Sequence, residues 1–131
     1  MLLIGGGAGE IMKEILKYPV ESVDYVELDP SIISFAKKFL RDESFYRLND
    51  PRVNVINEDG RYFVKNTENR YDVVIINLPN PYTAQINRFY TEEFFKEVRK
   101  ILAEGAIVGF SVTSSENYLS KEQSLFLKSL V

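Results

Sequence analysis

The sequence has 131 residues, 45% of them hydrophobic and 27% charged, which is one domain with enough apolar mass for a single core. A formal net charge of −3 leaves no electrostatic footprint for nucleic acid or an anionic membrane surface, and no apolar run approaches the roughly 20 residues of a membrane span. With no histidine and no cysteine, Ser-His-Asp and Cys-His catalysis, disulfides and the usual zinc ligands are excluded; no metal is expected, and any general base must be a carboxylate, Lys or Tyr.

Residues 2–4 read as a first strand, reached within one residue of Met1 with no charged region or cleavage site, so this start is not a signal peptide. A chain that opens directly on a core strand is expected to be cut from something longer. Residues 5–9, Gly-Gly-Gly-Ala-Gly, form the turn, and residues 10–17 a helix with Ile11, Ile15 and Leu16 on one face. Residues 23–27 are the second strand. Asp29 caps the next helix, whose first position is Pro30, where a missing N–H costs nothing. Its expected buried stripe is Ile32, Ile33, Phe35, Ala36, Phe39 and Leu40.

A polar connection over 42–50 leads to a third strand at 53–56 and a short helix around 61–65. The fourth strand is 71–76, and Pro79 and Pro81 open an irregular loop running to Tyr90. Thr91 caps a helix that ends near Leu102, with Glu92 and Glu93 favourably placed against its dipole. Gly105 precedes a fifth strand at 106–112, and Ser120 with Gln123 makes a capping box for a last helix. There is no repeat, low-complexity tract or linker.

Strands alternating with helices predict a doubly wound, mostly parallel α/β sheet of order 3-2-1-4-5. Its crevice falls where that order reverses, between the first and fourth strands. The strand ends there carry Gly5 to Gly9 and Asn77 to Pro81.

Gly5, Gly6, Gly7 and Gly9 permit positive φ and close approach of a ligand, next to a helix N-terminus. As a dinucleotide fingerprint the loop is incomplete: Glu10 stands where the third glycine belongs, and its carboxylate would repel a pyrophosphate. A nucleoside without phosphates is not disfavoured. Glu27 ends the second strand about twenty residues on, where a carboxylate accepts from ribose hydroxyls. Asp59-Gly60 ends the third strand, near a bound base, and Asp59 would accept from an exocyclic amine; a plain Asp-Gly turn is the alternative. Tyr82, Phe89 and Tyr90 read either as channel lining or as aromatic loop anchors.

The strings GGGAGE, YVELDP, EDGRYF, YDVVIIN and FYTEEFFKEVRKILAEGAI, in that order, resemble the polyamine aminopropyltransferase family, spermidine synthase and its relatives. NLPNPYTAQINRFYT and SSENYLS more narrowly resemble spermidine-synthase-like domains fused to multi-span membrane segments. The resemblance implies a Rossmann-like, class-I S-adenosylmethionine methyltransferase fold. It also implies an alkyltransferase of polyamine biosynthesis, moving an aminopropyl group from decarboxylated S-adenosylmethionine to an amine. It places the donor on Gly5, Gly6, Gly7, Gly9, Glu27 (ribose), Leu28 (beside the base), Asp59 (adenine) and Gly60. Glu116 matches a family Glu near the substrate amine, and Tyr118 joins it as a substrate-side residue.

Departures fall at the chemistry. Ala8 stands at the family's ammonium-holding Asp, and Asn77 and Asn80 stand at the two acids of its DxxDP motif, so the catalytic positions are occupied by amides. An amide cannot take a proton at neutral pH. Two other readings therefore stay open: a non-catalytic nucleoside-binding, regulatory domain of a membrane-fused protein, and a small-molecule methyltransferase using S-adenosylmethionine. The family's N-terminal hairpin domain and last strands are missing, so residues 1–131 read as one nucleoside-binding domain truncated at both ends. The expected partners are a small-molecule amine, membrane segments outside this chain and a second copy in a homodimer. The expected location is the cytoplasm or the cytoplasmic face of a membrane.

Overall fold

A computed structural model describes residues 1–6, 10–39, 47–112, 121 and 124–125. Gly7, Ala8, Gly9, Leu40, Glu116, Tyr118 and the capping box of Ser120 with Gln123 lie outside the described residues. Five strands, β1 (Leu2–Ile4), β2 (Val23–Glu27), β3 (Val53–Asn57), β4 (Tyr71–Ile76) and β5 (Leu102–Phe110), form one sheet in the order β3-β2-β1-β4-β5. Every neighbouring pair is parallel. Between them run α1 (Glu10–Leu16), α2 (Pro30–Phe39), α3 (Gly60–Asn66), α4 (Ala84–Asn87) and α5 (Glu92–Lys100). The doubly wound order is the one the sequence predicts. No helix among the described residues is long and apolar enough to cross a membrane.

A parallel sheet is covered on both faces, so its central strands read as unbroken apolar runs. Leu2 and Ile4 point into one core layer with Val26, Val74, Ile76, Val64 of α3, and Phe94 and Val98 of α5. Leu3 points into the other with Tyr25, Met12 and Ile15 of α1, and Ile33 and Ala36 of α2. Leu3 pairs with Tyr25 on one side and Ile75 on the other, which sets the register of the sheet's centre.

Three local expectations are corrected. On α2 only Ile33 and Ala36 of the described stripe are buried, while Ile32, Phe35 and Phe39 stay exposed. Six positions span more of a 3.6-residue period than one sheet face can cover. The fifth strand runs Leu102–Phe110 rather than 106–112, and α5 ends at Lys100. Its ladder starts at Leu102 opposite Tyr71, shifts register, and resumes with Ile107 opposite Val73; it stops at Phe110 because β4 stops at Ile76. Partner strand, not local pattern, decides both ends. Finally, the loop after β4 contains α4, capped by the Thr83 side chain accepting from Ile86 N, and four residues are too few to show periodicity.

Helix caps match the sequence: the Thr91 side chain accepts from Phe94 N, and Asp29 Oδ1 accepts from Ser31 N at 2.8 Å. Phe94→Ala, which empties a fully buried site, should cost about 3–5 kcal/mol in urea unfolding. Phe35→Ala, on the exposed side of α2, should cost less than about 1.5 kcal/mol, the scale of its ring contact with Phe39.

Candidate functional site

A cleft opens at the carboxyl ends of β1 and β2 and of the turn after β3. Its floor is Ile4, Gly5 and Val26, one wall carries Glu27 and Leu28, and Asp59 and Gly60 close one end. The opposite wall comes from the segment after β4: Leu78, Gln85, Ile86, Arg88 and Phe89. The enclosed part is about 60 Å³, well under the roughly 300 Å³ at the low end of ligand pockets.

β1 has hydrogen-bonded neighbours on both sides, so its chain can only leave at the end, and it does so through Gly5 and Gly6 at φ 71° and 102°. Both values lie in the left-handed region that L side chains avoid. Gly5 N–H donates to Val26 O and Asn77 N–H to Ile4 O, each at 2.9 Å, tying the bend to β2 and to the end of β4. A Cβ on Gly5 would lie 2.6 Å from Leu78 Cδ2, and one on Gly6 2.5 Å from Asn77 Nδ2. The Asn77 amide thus packs directly against the glycine bend.

Glu27 is a buried carboxylate, 7% exposed, at the last position of β2. Its Oε2 accepts from Tyr25 Oη at 2.9 Å and its Oε1 from Asp29 N at 3.2 Å. Burial first, and then the Glu27 carboxylate, push the Tyr25 phenol above its ordinary value, so it stays protonated as a donor. Two oxygens offer about four acceptor positions, and two are used, which leaves acceptor capacity facing the cleft.

Asp59 caps α3: Oδ1 accepts from Arg61 N and Tyr62 N, both at 3.0 Å. Oδ2 is paired with Arg88 Nη2. Burial favours the neutral acid, but the guanidinium and the two N–H donors together outweigh it and hold the carboxyl below its usual range. Arg88 is itself fixed by its Nε donating to Gln85 O at 2.9 Å and by lying over the Phe89 ring, 4.9 Å from the centroid. Beneath it, Arg61 makes a two-point pair with Glu97 at 2.9 and 3.1 Å and donates to the Arg88 carbonyl at 3.2 Å.

The structure therefore brings Gly5, Glu27, Leu28, Asp59 and Gly60 to one cleft, with Gly6 and Asn77 beside its bend. Asn80 is not among the lining residues; its Nδ2 donates to Tyr82 Oη at 3.3 Å. Of the loop aromatics, Phe89 lines the cleft, Tyr90 is a buried anchor 3.3 Å from the Leu78 and Pro79 carbonyls, and Tyr82 is exposed. Sequence reasoning missed Leu78, Gln85, Ile86 and Arg88. Only Arg88 carried a signal, a lone cation beside the aromatic pair 89–90.

The sequence profile of the Spermine/spermidine synthase domain matches residues 1–129. The chain belongs to the spermine/spermidine synthase domain family. It is 44% identical over 116 residues to a polyamine aminopropyltransferase of Korarchaeum cryptofilum, covering 88% of this chain and 35% of the relative. It superposes with a TM-score of 0.68, at 30% identity, on a spermidine synthase in complex with the transition state analogue AdoDATO, over 83% of this chain and 35% of that one. A TM-score of 0.65 at 21% identity to human methyltransferase-like protein 13, over 82% of this chain and 51% of that one, places the fold among the methyltransferases. The chain spans about a third of the length of its spermidine synthase relatives.

Two outcomes are expected of this synthase-family site. Gly5→Ala should destabilise by at least about 1 kcal/mol in denaturant titration, since it combines positive φ with contact on Leu78. Asp59's folded pKa lies below its unfolded value, so the stability it contributes is present above the unfolded pKa and is lost as pH falls through the folded one. Thermal melts of Asp59→Asn should accordingly lose less stability than wild type on acidification below about pH 4.

Proposed function

We propose that the chain is the nucleoside-binding part of a spermidine-synthase-type transferase, taking decarboxylated S-adenosylmethionine or S-adenosylmethionine as donor and a small amine as acceptor. The observation that carries this is Glu27: a carboxylate buried at the tip of β2, held from one side by Tyr25 and Asp29 and left with acceptor capacity toward the cleft. Two vicinal ribose hydroxyls need such a double acceptor. Asp59 would accept from the adenine amine, Leu28 and Ile86 would flank the base, and the Gly5–Gly6 bend would let the sugar approach the backbone. Gly7, Gly9 and Gly60 complete the loop and the base end in this reading. A spermidine synthase of the same family takes AdoDATO, which supports an adenosyl ligand here.

The reaction is displacement at the carbon next to the sulfonium. The amine nitrogen forms the new C–N bond, the C–S bond breaks with its electron pair going to sulfur, and a neutral thioether nucleoside leaves. The protein's part is mainly positioning, since a sulfonium is already a good leaving group. Asn77 and Asn80 stand at the family's two acids and cannot receive the amine proton. The amine therefore attacks in its neutral form, and the product nitrogen keeps its proton as an ammonium. Asn77, beside the bend, would orient by hydrogen bonding, while Asn80 stands outside the cleft. Glu116 and Tyr118 are the proposed substrate-side groups. The resemblance of NLPNPYTAQINRFYT supports a membrane-fused subgroup; a place on the cytoplasmic face and a homodimer go with that reading. The neutral Asn77 amide packed on Gly6 favours a second reading, a domain that binds the nucleoside without turning it over.

Calorimetry with methylthioadenosine, S-adenosylmethionine and its decarboxylated form tests the ligand. A nucleoside at 100 times its Kd should raise stability by about 2.7 kcal/mol, and Glu27→Ala should abolish that gain. Glu27→Gln keeps an acceptor for Tyr25 while replacing one ribose acceptor by a donor, so it should fold normally and bind weakly. Unchanged binding in both variants would sink the ribose assignment, and an aminopropyl-transfer assay separates the catalytic reading from the silent one.

A further inference from the structure

The pairing of Arg88 with Asp59 asks what a guanidinium is doing at the end of a cleft whose carboxylate is meant for a base. The side chain is anchored three ways, by Asp59, by the Gln85 carbonyl and by the Phe89 ring, and its own carbonyl is held by Arg61. Those contacts use Nε and Nη2; among the described residues Nη1 has no acceptor. Arg88 and Asp59 both line the cleft. A carboxylate beside a guanidinium presents an acceptor next to a donor. The amine edge of a 6-aminopurine presents the reverse, a donor next to a ring nitrogen that accepts.

We propose that Arg88 is a base-recognition residue, its guanidinium donating to the ring nitrogen beside the purine's amine while Asp59 accepts from the amine itself. This rests on the nucleoside reading above and adds a contact from the far wall, so the base is read from the β3 turn and from the loop after β4 together. A 6-oxo purine presents an acceptor to Asp59 where a donor is needed, and is rejected. A protein holding this pair selects adenosyl over inosyl or guanosyl ligands by two charge-assisted hydrogen bonds rather than one.

The test is titration of the wild-type protein, Arg88→Met and Arg88→Lys with 5′-methylthioadenosine and its 1-deaza and 7-deaza analogues, in which one ring nitrogen becomes C–H. Wild type should bind one of the two analogues about tenfold more weakly than the parent, the scale of a hydrogen bond to a charged group. That gap should close in Arg88→Met and shrink in Arg88→Lys, which keeps the charge beside Asp59 but loses the planar fork. If Arg88 only steadies Asp59, both variants weaken all three ligands equally and the gap persists, which overturns the proposal; so does a wild type indifferent to both analogues, a result that needs no variant to fold. Failure of wild type to bind methylthioadenosine at all would remove the nucleoside reading as well.

Discussion

The central strand has no free side. Leu2, Leu3 and Ile4 are bonded to β2 along one edge and to β4 along the other, and their side chains are buried in both core layers. A strand so enclosed can only be left at its end, so the chain must turn there within a residue or two. Gly5 and Gly6 provide that turn at positive φ, and Asn77, leaving β4 next door, packs against it. Parallel neighbours end at the same level, which brings Glu27 and the Asp59 turn to the same rim. The cleft is thus a geometric by-product of winding a sheet both ways from one strand.

What could be read from residues alone follows the same logic. Strand order, the glycine bend and the carboxylates at 27 and 59 were legible because each depends on local chemistry: apolar runs, missing Cβ atoms, acids at strand ends. The far wall was not. Ile86 and Arg88 reach the cleft through α4, four residues long, whose position is set by Thr83 capping, by Phe89 in the core and by the Arg61 bracket. None of these leaves a periodic mark. The same holds for α2, where a run of apolar positions hides that Ile33 and Ala36 are buried while Ile32, Phe35 and Phe39 are not, and for β5, whose ends are dictated by β4.

The described lining of the cleft carries two carboxylates, Glu27 and Asp59, and one cation, Arg88. Asn77, beside the glycine bend, is a neutral amide. Arg88 adds a cation on the far wall, paired with Asp59 across the cleft's end. Both carboxylates are held from behind by the protein's own donors, Glu27 by Tyr25 and Asp29 and Asp59 by the first turn of α3.

The loop between β4 and α5 is moored at both of its ends and stands out between them, its first residues held by the Asn77 N–H bond to Ile4 O. Residues 88–91 are fastened by the Arg61 contact to the Arg88 carbonyl, by Phe89 and Tyr90 in the core and by the Thr91 cap. Most of residues 79–85 lies at the surface, with Tyr82 standing out in solvent. Side chains can therefore drift at the tip around Tyr82 without disturbing the anchored stretch, whereas Thr83 and Gln85 remain tied to it as the cap of α4 and the acceptor for Arg88. A lineage could rewrite that exposed tip freely while the far wall of the cleft stayed inherited.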